Sequence, residues 1–252
     1  MPSQNKGEKD EILIINRLLQ YNNDRQYNKL TDIFGEEANE GVIIIDPSSK
    51  KEITRSDEIK KAASLCKADI IVRMIKDPNV QYNISIKSQN GAKPAILNHT
   101  HRNANVFKEN GLLNQYLPSI DSVSKEYIDK RTQKYINEDT ALMLLNSMND
   151  EKIKNDIKKI IAYFIFEGTG SRESKTNANS VLTYKGTEIS FLKCIDENQK
   201  MNYINSIIDR CIISFRNKGM PKKINDAMKP WIYEDVKNDG NIKKKGCLHI
   251  RL

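Results

Sequence analysis

The chain has 252 residues, 38% of them hydrophobic and 29% charged, a balance that supports a sizeable folded core and excludes the apolar-poor disordered class. No apolar run approaches the roughly 18 residues of a membrane span, and Met1 to Glu11 is polar rather than a charged-then-apolar leader, so a cytoplasmic protein without a membrane partner is expected. The formal net charge of +8 points to a polyanionic partner, because basic side chains gain by releasing counterions condensed on a phosphate backbone.

In chain order, Lys9 to Tyr21 sets Ile12, Ile15, Leu18 and Leu19 on one side of a helix, with Glu8, Asp10 and Glu11 in its first turns, where the dipole favours negative charge. Gly41 to Pro47 reads as a buried strand stopped by an Asp-Pro turn. Ser56 suits the N-cap of a short helix reaching Cys66. Two strands follow, Asp69 to Ile75 and Tyr82 to Ser88, joined by a turn built around Asp77-Pro78-Asn79.

Farther on, Asn149 suits the cap of a long helix carrying Ile153, Ile157, Ile160, Ile161 and Phe164 and ending at Gly168. A polar loop, Gly168 to Ser180, leads to a short strand at Val181 to Tyr184, and strand-like runs recur at Cys211 to Phe215 and Leu248 to Leu252. Strands and helices are mixed from end to end, which predicts an α/β or α+β class. No repeat or Pro/Gly/Ser-rich linker divides the chain, so a single domain over residues 1–252 is expected. The four cysteines, Cys66, Cys194, Cys211 and Cys247, form no C-x-x-C pair and read as reduced thiols. From Arg216 to Leu252 there are ten Lys or Arg against four Asp or Glu, so much of the basic excess lies in this tail.

Chemistry concentrates on Lys67-Ala68-Asp69 and Ser85-Ile86-Lys87. Residues two apart on a strand share a face, so Ser85 and Lys87 point the same way. In a hairpin centred on Pro78, Asp69 is expected directly opposite Lys87. The Asp69 carboxylate and the Ile86 backbone carbonyl are oxygen donors of the kind Mg²⁺ prefers. Lys87 is then suited to orient the attacking water or to stabilise charge on phosphorus, with the Ser85 hydroxyl assisting.

Asp69, fifteen residues, then Ser85-Ile86-Lys87 resembles the PD-(D/E)XK nuclease core in a variant without the second acid. It is most similar to type II restriction endonucleases of the MspI type, which cut short CG-containing sites and in which an amide residue precedes the x-K. Ala68 stands where that motif has proline, and Ser85 where it has an acid or amide. The opening Asn5-Lys6-Gly7-Glu8-Lys9-Asp10 resembles one branch of the same group, in which a Glu on the first helix reaches the metal site.

The resemblance implies a core with a central mixed sheet flanked by helices. It also implies Mg²⁺-dependent cleavage of double-stranded DNA, with Asp69 as metal ligand, Lys87 as catalytic lysine, Ser85 at the acid position and Glu8 as helper, and it divides the domain into a catalytic core (1–130) and helices, reading loop and basic strands (131–252). A palindromic target would imply a homodimer, and a DNA methyltransferase is the expected genetic partner. A non-catalytic DNA-binding protein and a structure-selective repair nuclease are the competing readings.

For DNA contacts the loop offers Ser171, Arg172, Lys175, Asn177 and Asn179, with Arg suited to guanine and Asn to adenine. Lys243, Lys244 and Lys245 suit phosphate. His99, His101 and Arg102, just past Lys87, are further candidates. The same Asn98 to Asn103 run is also similar to HNH nucleases, but that reading needs another metal-binding residue on a later helix, whereas the remaining histidine, His249, lies in the terminal strand.

Overall fold

The computed structural model describes residues 6–59, 66–90, 95–132, 142–144, 149–170, 174–216 and 224–252. In chain order its elements are α1 (Lys6–Asn23), α2 (Tyr27–Phe34), β1 (Val42–Ile45), β2 (Ile70–Met74), β3 (Gln81–Ser88), β4 (Ala95–Asn98), α3 (Leu117–Thr132), β5 (Leu142–Leu144), α4 (Glu151–Phe166), β6 (Ser180–Lys185), β7 (Glu188–Lys193), α5 (Glu197–Ile208), β8 (Ile212–Arg216), β9 (Ile232–Val236) and β10 (Ile242–Arg251). The fold is mixed α/β, as the sequence pattern predicts. Among the described residues, no helix is long and apolar enough to cross a membrane.

The chain forms two compact units, one of residues 1–94, 165–169 and 173–200, the other of 95–164, 170–172 and 201–252. This differs from the expected single domain divided near residue 130. The chain passes between the units several times through short segments, so no linker composition marks the boundary.

The first unit holds a five-stranded mixed sheet ordered β1-β2-β3-β6-β7, in which only β3 and β6 run parallel. Ile14, Ile15, Leu18 and Leu19 of α1 and Leu30 and Phe34 of α2 bury against Ile70, Val72 and Met74 of β2 and Tyr82, Ile84 and Ile86 of β3. The even-numbered residues of β3 therefore face the helices, and Ser85 and Lys87 face the other way, because side chains alternate along a strand. On that second face Val181 and Thr183 of β6 stand beside Ser85 and Lys87.

Gly41 makes the turn from α2 into β1 at φ +99, a left-handed conformation open to glycine. A Cβ there would also lie 2.7 Å from Asn22 Oδ1, the oxygen that accepts the Val42 N–H at 2.8 Å and fixes the start of β1.

The second unit holds a sheet ordered β4-β10-β8-β5, with β9 paired to the outer half of β10. Helix α3 packs on it through Tyr127, which stacks on Phe215 of β8 with centroids 4.3 Å apart. Helix α4 is capped by Asp150 rather than the expected Asn149: Asp150 Oδ1 accepts the Ile153 N–H at 3.0 Å. All four cysteines are buried and none forms a disulfide.

Candidate active site

The β2–β3 hairpin brings Asp69, Ser85 and Lys87 together, in a register different from the expected one. Ile70 pairs with Ile84 and Val72 with Tyr82, so the turn centres on Asp77, and Lys87 extends beyond the start of β2. A slip of two residues preserves faces, and Ser85 and Lys87 keep their common side. The Asp69 N–H donates to the Ile84 carbonyl at 2.8 Å, although Ile84 already pairs with Ile70. Two consecutive residues thus address one on β3, a β-bulge, which turns a side chain out of the regular alternation.

The bulge sends the Asp69 carboxylate to the edge of β3, where Oδ2 accepts the Ile86 N–H at 2.6 Å. The carboxylate fills the ladder position that β2 leaves open by starting at Ile70. The N–H and C=O of one strand residue leave on the same edge, so the Ile86 carbonyl lies on the side of Asp69. A carboxylate oxygen and a carbonyl oxygen thus share one strand edge, the hard-donor pair expected for Mg²⁺.

Burial raises the affinity of Asp69 for its proton, and the Lys87 ammonium, the Ile86 N–H, Lys67 and the Ser85 hydroxyl pull the other way. Ser85 is 1% exposed. Its hydroxyl lies beside the Asp69 carboxylate, yet Oγ is buried without a hydrogen-bond partner. A buried hydroxyl is seldom left unmatched, so Ser85 marks a place where a polar ligand or ordered water fits.

Sequence reasoning missed Lys67 as a member of this site. Burial above all, then repulsion by Lys87, lowers its ammonium to about 8, while Asp69 opposes the shift. The signal was present, since Lys67 stands two residues before Asp69. Its burial comes from the loop of residues 174–178, which is remote in sequence. Ser174 Oγ accepts the Lys67 N–H at 2.8 Å, and the Thr176 carbonyl accepts from Lys67 and Ala68, both at 3.1 Å. Thr176 is clamped in turn by Lys50 Nζ at 2.6 Å and the Pro47 carbonyl at 3.1 Å.

The remaining candidates separate into three groups. In the loop, Thr176 and Ala178 are buried while Lys175 and Asn177 are exposed, so the strand-side contacts present those two side chains outward beside the Lys67-Ala68 backbone. Lys245 is also exposed, opposite Glu234 in the β9–β10 ladder. Glu8 lies in α1 and Lys243 and Lys244 in β10, but their side chains, like Ser171 and Arg172 altogether, are outside the described residues. On α1 it is Asp10 that reaches the end of β3, accepting a hydrogen bond from the Ser88 hydroxyl.

Four of the candidates for DNA contact are engaged within the fold. Asn179 is spent inside the sheet, its Oδ1 accepting the Asn83 N–H at 2.7 Å. His99 is 2% exposed. His101 packs on Phe164 with centroids 4.7 Å apart and accepts the Asn98 N–H through Nδ1 at 3.0 Å. Arg102 pairs with Asp121 at 2.6 Å, and the buried Trp231 donates Nε1–H to the same carboxylate at 2.6 Å. We expect Asp121→Ala to cost about 2 kcal/mol, because it strands the guanidinium and the indole N–H together. A melting temperature unchanged from wild type would show that this network contributes nothing.

Comparison of the chain with family models, with curated proteins and with solved structures returns no match.

Proposed function

We propose that this protein is a Mg²⁺-dependent endonuclease that hydrolyses phosphodiester bonds in double-stranded DNA. The observation that carries the reading is the meeting of Asp69, Ser85 and Lys87 on one hairpin, with the Asp69 carboxylate fixed on the Ile86 N–H at 2.6 Å. A mixed sheet with that hairpin at its centre and helices against it agrees with the PD-(D/E)XK core the motif resembles. The type II restriction assignment, a short specific target, a homodimer and a methyltransferase partner follow from the same resemblance and form part of the proposal.

In this scheme the Asp69 carboxylate and the Ile86 carbonyl would hold Mg²⁺. When bound, the ion supplies Lewis-acid polarisation of the phosphate and acidifies water. The chain's own groups do the rest. Lys87 stands beyond the start of β2, where its ammonium orients the attacking water or meets the charge developing on phosphorus. Asp69 faces Lys87 and Lys67, so the charge at this edge balances best once a DNA phosphate arrives, and ion and DNA should bind together. The buried Ser85 hydroxyl fixes one hydrogen bond of the incoming water or phosphate oxygen. Lys175 and Asn177 are the exposed groups of the adjoining loop, suited to phosphate and to adenine.

Digestion of plasmid and of linear duplex DNA tests the reading. Discrete fragments that appear with Mg²⁺ and vanish with EDTA are expected. A salt-sensitive gel shift without fragments would establish the non-catalytic reading instead, and cleavage confined to lesions or junctions would establish the repair-nuclease reading.

A further inference from the structure

Apart from the hairpin, the described residues hold one cluster of soft ligands, in the second unit: His99, Cys247 and His249, whose ligand atoms lie within 4.8 Å of one another. Strand geometry assembles it. Cys247 and His249 are two apart on β10 and so share a face. His249 pairs with Asn98, the last residue of β4, and His99 follows at once. The ring of His249 is held by Nδ1 against the Cys247 carbonyl at 3.1 Å, the kind of backbone anchor that fixes the orientation of ligating histidines.

His99 supplies the second, independent observation. It is 2% exposed, and neither Nδ1 nor Nε2 has a hydrogen-bond partner. A buried imidazole with both nitrogens unmatched costs free energy unless something in the folded protein satisfies one of them. Hydrogen bonding accounts for only part of the cluster: the Cys247 thiol donates to the Arg216 carbonyl at 3.2 Å and His249 is held on the Cys247 carbonyl, whereas His99 has no hydrogen-bond partner. The ligand atoms of the three residues lie within 4.8 Å of one another, somewhat farther apart than a small cation holds its ligands. Tetrahedral zinc holds nitrogen at about 2.0 Å and sulfur at about 2.3 Å, so its ligands lie roughly 3.3 to 3.8 Å apart. Closing the cluster onto an ion takes a shift of about 1 Å.

From this geometry we infer that His99, Cys247 and His249 bind a zinc ion, joining the end of β4 to β10, with a fourth position left for water. The donor set of two imidazoles and one thiol suits a borderline-soft cation and not Mg²⁺, which takes oxygen. Binding would displace the thiol proton that Cys247 now places on the Arg216 carbonyl at 3.2 Å. The metal would thus fasten strands about 150 residues apart in sequence. It is a site separate from the hairpin, and its standing does not depend on the nuclease reading.

The test is titration of chelator-treated full-length protein with Co²⁺, a spectroscopic stand-in for zinc, followed by displacement with Zn²⁺. One equivalent should produce a thiolate-to-cobalt charge-transfer band and the intense visible bands of four-coordinate cobalt, and Zn²⁺ should abolish both. Cys247→Ser should lose the charge-transfer band, and His99→Ala should weaken Zn²⁺ binding on the order of a hundredfold or more. Asp69→Asn should leave the titration unchanged. Absence of the bands in wild type overturns the inference whatever the variants do, and so does a charge-transfer band that survives in Cys247→Ser, since Cys66, Cys194 or Cys211 would then be its source.

Discussion

Asp69→Asn should abolish DNA cleavage, by about a thousandfold or more, while leaving the protein at least as stable as wild type. The two halves of that result come from one geometry. Burial makes the ionised carboxylate unfavourable where it stands, which raises its proton affinity above the ordinary carboxylate range. An asparagine is neutral at every pH and can still accept the Ile86 N–H through its oxygen, so the strand edge keeps its hydrogen bond and loses a buried charge. What disappears is the negative charge that a divalent cation requires. Lys87→Ala should reduce cleavage to a similar degree, because groups that stabilise developing charge contribute on the order of a hundred- to a thousandfold each. It should leave DNA binding nearly intact. Measured together, cleavage rate, gel-shift affinity and melting temperature separate chemistry from folding. Either variant cutting at the wild-type rate would refute the assignment of this site.

The parts of the fold that alternate or repeat within a few residues were legible in the sequence. Helix α1 shows through Ile15, Leu18 and Leu19, β1 through its unbroken apolar run, and the hairpin through the Asp-Pro-Asn turn, because each is decided by local periodicity. Helix α2 is clearly amphipathic but only eight residues long, and α3 carries only a weak apolar stripe, so the first offers too few turns and the second too little contrast to stand out. Strand β7 is largely exposed and β9 buries only Ile232 and Tyr233 at its start, so both are held by pairing with neighbours rather than by their own pattern.

The same division runs through the candidate sites. The shared face of Ser85 and Lys87 was readable because strand faces depend on parity, and parity survived the two-residue error in register. The bulge that turns Asp69 to the strand edge was not readable, since it depends on where β2 begins. The burial of Lys67 is set by Ser174 and Thr176, more than a hundred residues away. His99 looked like a surface group beside Thr100, His101 and Arg102. Its environment comes instead from β10, which no local pattern links to β4.

Lys67→Met should stabilise the protein at pH 7 by up to about 3 kcal/mol and flatten the rise of stability with pH in the alkaline range. The folded chain releases the Lys67 proton at about 8, against an ordinary value of 10.5, first because burial strips the ammonium of water and next because Lys87 repels it. Below about 8 both the folded and unfolded chains carry the proton, and the folded state bears the whole cost of the buried charge, roughly 1.4 kcal/mol for each unit of the shift. Between about 8 and 10.5 the unfolded chain holds more protons than the folded one, so stability increases with pH. Above that range the cost is gone. Methionine fills a similar volume with no charge to bury, so it should show the alkaline stability already at pH 7. Urea unfolding of both proteins in metal-free buffer at pH 7 and at about pH 9.5 provides the measurement. A variant no more stable than wild type at pH 7, or one that keeps the full alkaline rise, would remove Lys67 as the source. A gain in stability accompanied by slower cleavage would identify a lysine held at the expense of the fold for the work it does beside Asp69 and Lys87, the trade expected where chemistry needs a charge that packing disfavours.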